Sequence, residues 1–535
     1  MSGIPGRVVA VGIVMSLLGV SAPPTLGARV DVNTLIVGMN TSILITLDPG
    51  VVYEVEGAVI VDQLYDKLVD MEMVKGTIQI VPKVAQTWAA SADGKTWTFT
   101  IRQGMRFPSG RAVNAAAVVY SLRRAVRLAK TPAWLLEQLG FTKDNADQTI
   151  RALDDYTVQL VLADAFAPNL VLSILAFPIT GVVDPDLMQQ HITEGDLGSD
   201  WLKDHSAGSG PYTLIRWERN EVVDLVANPT HWRGIPPIKR IMVRDIPEAT
   251  AQRLAVEKGD IDVAWNMSPQ MREEIRKQKT PGVDIVQIPA HGITYIGMNV
   301  KYEPLSKDKV REAIRWAIDY DAIRRDVVRG EAIPLQTFIP TGYLGSNPSQ
   351  PFTQDLTKAK QLLAEAGYPN GFEVELTTSS PHPTRPDIAQ LIQNNLAKVG
   401  IKVKIVLMAS GVMYQKFREQ GLQIILASWG VDYPDPDAVA KPFADGTVKQ
   451  LAWRNAWMDK DATELTRKAM LERDAGKRVA LYHQLTDLVL HKGAFAILYQ
   501  PTDTWVVRTW VKGYADAAAL GTMHFDFTRV SKVRE

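Results

Sequence analysis

The sequence predicts an α/β fold, and three observations carry the prediction. Between Pro82 and Ser121 an alternating, half-buried strand pattern gives way to a helix pattern. From Asp355 to Ala427 strand-like and helix-like segments alternate, the order that builds an open sheet with helices on its faces. The chain has 535 residues, too many for one core, yet no short-period repeat or low-complexity linker divides it. Two or three domains built from discontinuous segments fit this better than a string of separate modules.

The chain opens with a lone cation at Arg7, an apolar run from Val8 to Val20 and then Ser21-Ala22-Pro23-Pro24. This is the layout of a secretory signal peptide over residues 1–28, with cleavage expected after Gly27 or Ala28 because Pro23 disfavours cutting after Ala22. The run is short for a membrane span, which takes about 20 residues; an uncleaved anchor is the alternative reading. The chain has no cysteine, which excludes lipid attachment at a cleavage-site cysteine, disulfides and thiolate metal sites. The product expected is a soluble periplasmic protein, neither lipoprotein nor membrane-embedded. Its 59 basic and 59 acidic residues cancel, which argues against general nucleic-acid binding.

Asp93-Gly94 is a turn signal, and after it Trp97, Phe99 and Ile101 alternate with Thr96, Thr98, Thr100 and Arg102 as in a strand with one buried face. Gly104 and Pro108-Ser109-Gly110 break the chain. Asn114 then caps a helix whose Val118, Tyr120, Leu122 and Val126 must pack. Ser206 to Tyr212, SAGSGPY, is a tight turn entering a strand, with no glycine spacing into a helix to cradle a phosphate. NPTHWRG follows from Asn228 to Gly234. Val310 to Ile323 is an amphipathic helix with Val310, Ile314, Ala317 and Ile318 on one face.

Farther on, Asp355 or Thr357 caps a helix through Ala359, Leu362, Leu363 and Ala366, which Gly367 ends in a left-handed conformation. Then come a strand at Phe372 to Leu376, a helix at Ile388 to Lys398, a strand at Val403 to Leu407, a helix at Val412 to Arg418 and a strand at Leu422 to Ala427. In open α/β sheets ligands bind beyond the carboxyl ends of strands. The segment beyond Ala427 is SWGVDYPDPD, Ser428 to Asp437.

The apolar-Ala-x-x-Trp step, Ser-x-Asp-Gly-Lys turn, Thr-Phe-x-x-Arg strand and Phe-x-x-Gly loop within 82–121 resemble the extracellular solute-binding protein family 5, the periplasmic oligopeptide-, dipeptide- and nickel-binding components of ABC importers. SAGSGPY, NPTHWRG and VREAIRWAIDYDAI are similar to that family in its usual order. The resemblance implies a bilobal periplasmic-binding fold: a first lobe from 29–69, 199–289 and 501–535, an extra subdomain at 70–198, and a second lobe at 290–500. Two crossing strands near Ile288 to Met298 and Ile497 to Val507 form the hinge. It implies a monomer that captures a small-molecule or peptide ligand, closes around it, and delivers it to ABC permease and ATPase subunits, with no cofactor. A non-peptide ligand such as an opine, oligosaccharide, bile-acid-like compound or metal chelate is the alternative, as is a periplasmic chaperone or sensory receptor.

Ser428 to Asp437 concentrates one Trp, one Tyr, two Pro and three Asp. The resemblance puts Asp432 against the ligand, where a peptide's amino terminus is received; a carboxylate buried without a cation is made good by an incoming ammonium. The competing reading has Asp432 or Asp435 capping a turn or pairing with an internal lysine. Trp429 and Tyr433 flank the site, Trp429 either as an aromatic wall or as core packing. Trp453, Arg454, Asn455 and Trp457 form a second polar-aromatic group, in which Arg454 either meets a ligand carboxylate or lies on the surface. Glu56-Gly57-Ala58 is similar to the Glu-Gly-Val of oligopeptide binders, whose main chain pairs with an extended peptide as an added strand. Arg385 sits in a loop where dipeptide binders often present a carboxylate-binding Arg, though its spacing to the following helix departs from theirs.

No catalytic constellation is expected. The eight histidines, His191, His205, His231, His291, His382, His483, His491 and His524, include no pair at helical metal-ligand spacing. The chain has neither a Gly-x-Ser-x-Gly elbow nor a Gly-x-x-x-x-Gly-Lys loop. Asp432 with Asp435 is the one carboxylate pair that invites glycosidic chemistry, and sequence does not give their separation.

Overall fold

The computed structural model describes residues 30–380, 382–521 and 524–534. The expected signal peptide at 1–28 lies outside the described residues. Thr96–Ile101 buries Trp97, Phe99 and Ile101 on one face, as the alternation requires. It lies inside a four-stranded antiparallel sheet ordered Ala85–Ala90, Thr96–Ile101, Thr157–Val161 and Ile150–Asp154. The helix Ala115–Leu128 packs on it through Val118, Leu122 and Val126, and the Asn114 side chain caps it by accepting the Ala117 N–H at 3.1 Å. Tyr120 is only half-buried. A hairpin, Val69–Val74 with Thr77–Pro82, precedes this sheet.

The large sheet has two halves. On one side Thr34–Met39 pairs in parallel with Arg240–Asp245 and Val263–Ala264, and the antiparallel strands Val222–Ala227 and Tyr212–Glu218 extend the edge. On the other side Glu373–Ser379 pairs in parallel with Lys402–Met408 and Ile424–Gly430. Phe495–Arg508 links the halves. Its first part pairs with Gly292–Met298 and its second with Val283–Pro289 and Val263–Ala264. The chain therefore passes between the halves at 289–292 and near 500–502.

Each half has its own core. Leu35, Val37, Leu225, Ile241, Val243 and Trp505 share one; Leu376, Ile388, Ile392, Ile424 and Leu426 share another. Full burial of one such side chain contributes roughly 1.5–3 kcal/mol, so each face is strongly specified. A third cluster joins the four-stranded sheet to residues of the second half, with Phe99, Leu122 and Phe177 beside Tyr295, Tyr433 and Phe443.

Ser206 to Tyr212 acts as a joint. A Cβ at Gly208 would collide with the Leu64 carbonyl oxygen, and one at Gly210 would lie 2.5 Å from the Gln63 carbonyl oxygen. Asn228 Nδ2 donates to the Gly210 carbonyl at 3.0 Å, so SAGSGPY and NPTHWRG lock together against the end of the helix Val55–Leu64. The expected helix over 310–323 is interrupted. It runs Asp308–Ala317, Ile318 turns extended, and the Asp319 side chain accepts the Ala322 N–H at 2.9 Å to begin a new short turn.

Candidate functional site

The strand Ile424–Gly430 ends where the sequence placed it within a few residues, and its continuation carries the expected loop. Val431 N–H donates to the His291 carbonyl at 2.8 Å, which ties the loop to the crossing between the sheet halves. Asp435 is fully buried in a two-pronged ion pair with Arg478, at 2.6 Å for each bond, and also accepts from Asn169 Nδ2 at 3.0 Å. Asp435 is thus the internally paired acid, with arginine rather than lysine. Asp437 accepts from the Tyr433 hydroxyl at 3.1 Å, while its Oδ1 has no hydrogen-bond partner; burial pushes its carboxyl up to about 6.

Asp432 differs from both. Its carboxylate accepts one hydrogen bond, 2.7 Å from the Tyr53 hydroxyl, and that hydroxyl accepts from Trp134 Nε1 at 3.2 Å. Burial pushes the Asp432 carboxyl up to about 6, with the Tyr53 bond opposing the shift only in part. Burial, then the adjacent Asp432 charge, raises the Tyr53 phenol well above its usual range, so this group stays a donor.

Asp432 stands between two cavities. The larger, about 560 Å³, is walled mainly by apolar side chains, among them Met71, Phe177, Ile293, Trp429 and Leu520. The smaller, about 310 Å³, is lined by Trp134, Gln138, Asp437 and Lys441. Tyr53, Trp429, Asp432 and Tyr433 belong to both. Trp429 is half-buried and donates Nε1–H to the Ala438 carbonyl at 3.2 Å, so its ring is a fixed wall. Volumes of this size suit a small solute.

Several expected site residues lie elsewhere. Val55–Leu64 is a helix, with the Ala58 N–H donating to the Glu54 carbonyl at 3.0 Å. Glu56, Gly57 and Ala58 therefore offer no extended edge to a peptide, and Tyr53 and Val55 are the cavity residues of that stretch. Arg385 opens the helix Arg385–Ala397 and reaches Ser379 Oγ at 3.4 Å, away from both cavities. Asn455 is buried and donates to the Leu451 carbonyl at 2.9 Å, and Trp457 packs edge-on to Phe495. Arg454 is half-buried, 5.7 Å from the Phe417 ring centre, and bonds Gln450, so it is neither a surface residue nor a cavity one. Trp453 is half-buried and its carbonyl accepts from Gln420. Trp453, Arg454, Asn455 and Trp457 line neither of the two cavities.

Cavity residues that sequence reasoning missed are His291, Tyr343 and Asp503. His291 Nδ1 shares a 2.7 Å hydrogen bond with the Tyr343 hydroxyl, and burial lowers its ring to about 4, so it is neutral near pH 7. Their only sequence signal is position. His291 lies at one crossing between the sheet halves and Asp503 just past the other.

Two sheet halves joined by crossing strands, with an open cavity beside the crossings, are the setting of this site. The sequence pattern of bacterial extracellular solute-binding proteins, family 5 (middle), matches residues 79–450, and the chain belongs to that family. Over 475 residues it is 28% identical to the probable D,D-dipeptide-binding periplasmic protein DdpA of Escherichia coli (strain K12), a match spanning 88% of this chain and 89% of that one. The fold superposes on HbpA2 from Haemophilus parasuis with a TM-score of 0.80 and 25% identity, covering 94% of this chain and 100% of that one. The periplasmic binding protein DppA from Helicobacter pylori, in complex with the peptide STSA, superposes with a TM-score of 0.73 and 26% identity, covering 93% of this chain and 97% of that one.

Proposed function

We propose that this chain is the periplasmic substrate-binding component of an ABC importer and that it captures short peptides, with the peptide amino terminus on Asp432. The observation that carries this reading is the Asp432 carboxylate, set where two cavities meet and paired with a phenol rather than a cation. An ammonium has three donors and a full charge, so it satisfies the free lone pairs of such a carboxylate and offsets the cost of its burial. The relatives support peptides as the solute class: one is named for D,D-dipeptides and another is seen holding a peptide.

In this reading 29–69, 199–289 and 501–535 make the first lobe, 70–198 its extra subdomain and 290–500 the second lobe. The change of strand partners along Phe495–Arg508 supports a hinge there. A solute touching both lobes favours their closure. The leader at 1–28 exports the chain, which works as a soluble monomer and leaves the solute chemically unchanged. ATP hydrolysis belongs to separate subunits that receive the loaded protein with the permease.

Calorimetry with Ala–Ala and N-acetyl-Ala–Ala tests the reading. Acetylation removes the ammonium and is expected to weaken binding by at least about tenfold, the loss of one charge-assisted contact. Equal affinity for the two compounds overturns the role given to Asp432.

A further inference from the structure

The larger cavity holds more negative charge than one amino terminus accounts for. Its titratable lining is Asp432, Asp503, His291, His524, Tyr53, Tyr343 and Tyr433; among the described residues no lysine or arginine faces it. Asp503 projects from Phe495–Arg508 at the position opposite Ile288, just past one crossing between the sheet halves. Its neighbours Thr502 and Thr504 bond each other, hydroxyl to hydroxyl, at 3.2 Å. Burial with no opposing charge pushes the Asp503 carboxyl up to about 6.

Neither histidine supplies the missing cation. His291 is neutral and engaged with Tyr343. His524 is cationic, since burial and Lys67 are outweighed by Asp70 and Asp62, which push its ring up to about 9, but both ring nitrogens are committed to that cluster and to neither cavity carboxylate: Nδ1 lies 3.2 Å from Asp62 and 2.6 Å from Lys67 Nζ, and Nε2 lies 3.0 Å from Asp70. That cluster is self-contained, since Lys67 and Lys83 pair with Asp62, Asp66 and Asp70. Two half-buried carboxylates thus share one largely apolar cavity with no cation paired to either, an arrangement that is costly unless the solute brings the cations. Arg385 and Arg454 lie off the cavity, so a solute carboxylate meets no guanidinium there.

We infer that the solute carries two cationic centres, one received by Asp432 and the second by Asp503. The inference rests on the solute-binding reading of this cavity and narrows its substrate class to dicationic amines. Two sources share that chemistry, a short peptide with a lysine-like or arginine side chain and a free alkyl diamine. The 560 Å³ volume accommodates either.

Calorimetry of the full chain with Ala–Ala, Ala–Lys, Lys–Ala and cadaverine tests it. The result expected is that Ala–Lys or Lys–Ala binds at least about tenfold more tightly than Ala–Ala, the effect of one desolvated charge pair. In Asp503→Asn that preference is expected to shrink to within about twofold. Ala–Ala binding as tightly as both basic dipeptides overturns the inference and leaves the peptide reading standing. Cadaverine binding without any dipeptide upholds the two-cation site and overturns the peptide reading. A preference that survives in Asp503→Asn removes Asp503 from the site, and binding of none of the four overturns both readings. The wild-type comparison needs no variant, so a fold defect in Asp503→Asn does not decide the outcome.

Discussion

Asp432 and Asp435 share one short loop and have opposite electrostatic fates. Asp435 is cancelled by Arg478, whereas Asp432 has only the Tyr53 phenol. A carboxyl that titrates at about 6 must be ionised to hold an ammonium, so binding at lower pH first has to expel a proton. Affinity for a cationic dipeptide is therefore expected to be level above about pH 7 and to fall below about pH 5.5, approaching tenfold per pH unit for each such carboxylate used. Tyr53 and Tyr343, which face Asp432, keep their protons throughout this window and do not alter the sign. Calorimetry in two buffers of different ionisation enthalpy checks this through proton release near pH 6; binding that tightens on acidification contradicts it. The loop was legible from its Trp, Tyr, Pro and Asp content, but the roles of its acids were not. Arg478 lies 43 residues from Asp435, and Tyr53 lies 379 residues from Asp432, beyond the reach of any local pattern.

Among the elements, Arg478 holds the loop that carries Asp435 to the helix Ala475–Lys492, since both of its donors to Asp435 come from that helix. Arg478→Ala leaves a buried carboxylate uncompensated and is expected to lower unfolding stability by about 3–5 kcal/mol, read as a reduced urea midpoint. A loss under about 1 kcal/mol, the range of exposed pairs, contradicts that picture. Elements whose signals are local were readable in advance. The Asp355 cap, the left-handed Gly367 and the strands Glu373–Ser379 and Lys402–Met408 fall within a few residues of their sequence-predicted places. The break at Ile318 was not readable, because the apolar stripe continues across it while the backbone turns to start a capped segment at Asp319. Glu56-Gly57-Ala58 misled for a different reason: three residues matched a pattern, but the helical run through Leu64 decides their conformation. Trp453 to Trp457 has the composition of a site, yet Asn455 and Trp457 are consumed by packing around Gly297 and Phe495.

Across the whole molecule, the absence of any linker in the sequence corresponds to strands that return to sheets begun hundreds of residues earlier. Phe495–Arg508 pairs with Gly292–Met298 and Val283–Pro289, and through this exchange both halves of the sheet reach the cavity wall. Bonds between distant segments tie the loop and the helix after it to the first part of the chain, Tyr53 to Asp432, Asn169 to Asp435 and Lys441 to Gln138. The α/β class followed from alternation alone, whereas the partner of each strand was not legible, since pairing over such separations leaves no periodic trace. The proposed peptide reading depends on the Asp432 carboxylate, which lines both cavities. Native mass spectrometry of freshly purified wild-type protein and Asp432→Asn tests this most directly. The result expected is an added mass on the wild type that fragments as a short peptide with a free amino terminus and is lost from Asp432→Asn; the same mass retained by both proteins, or a solute without a cationic nitrogen, contradicts the role proposed for Asp432.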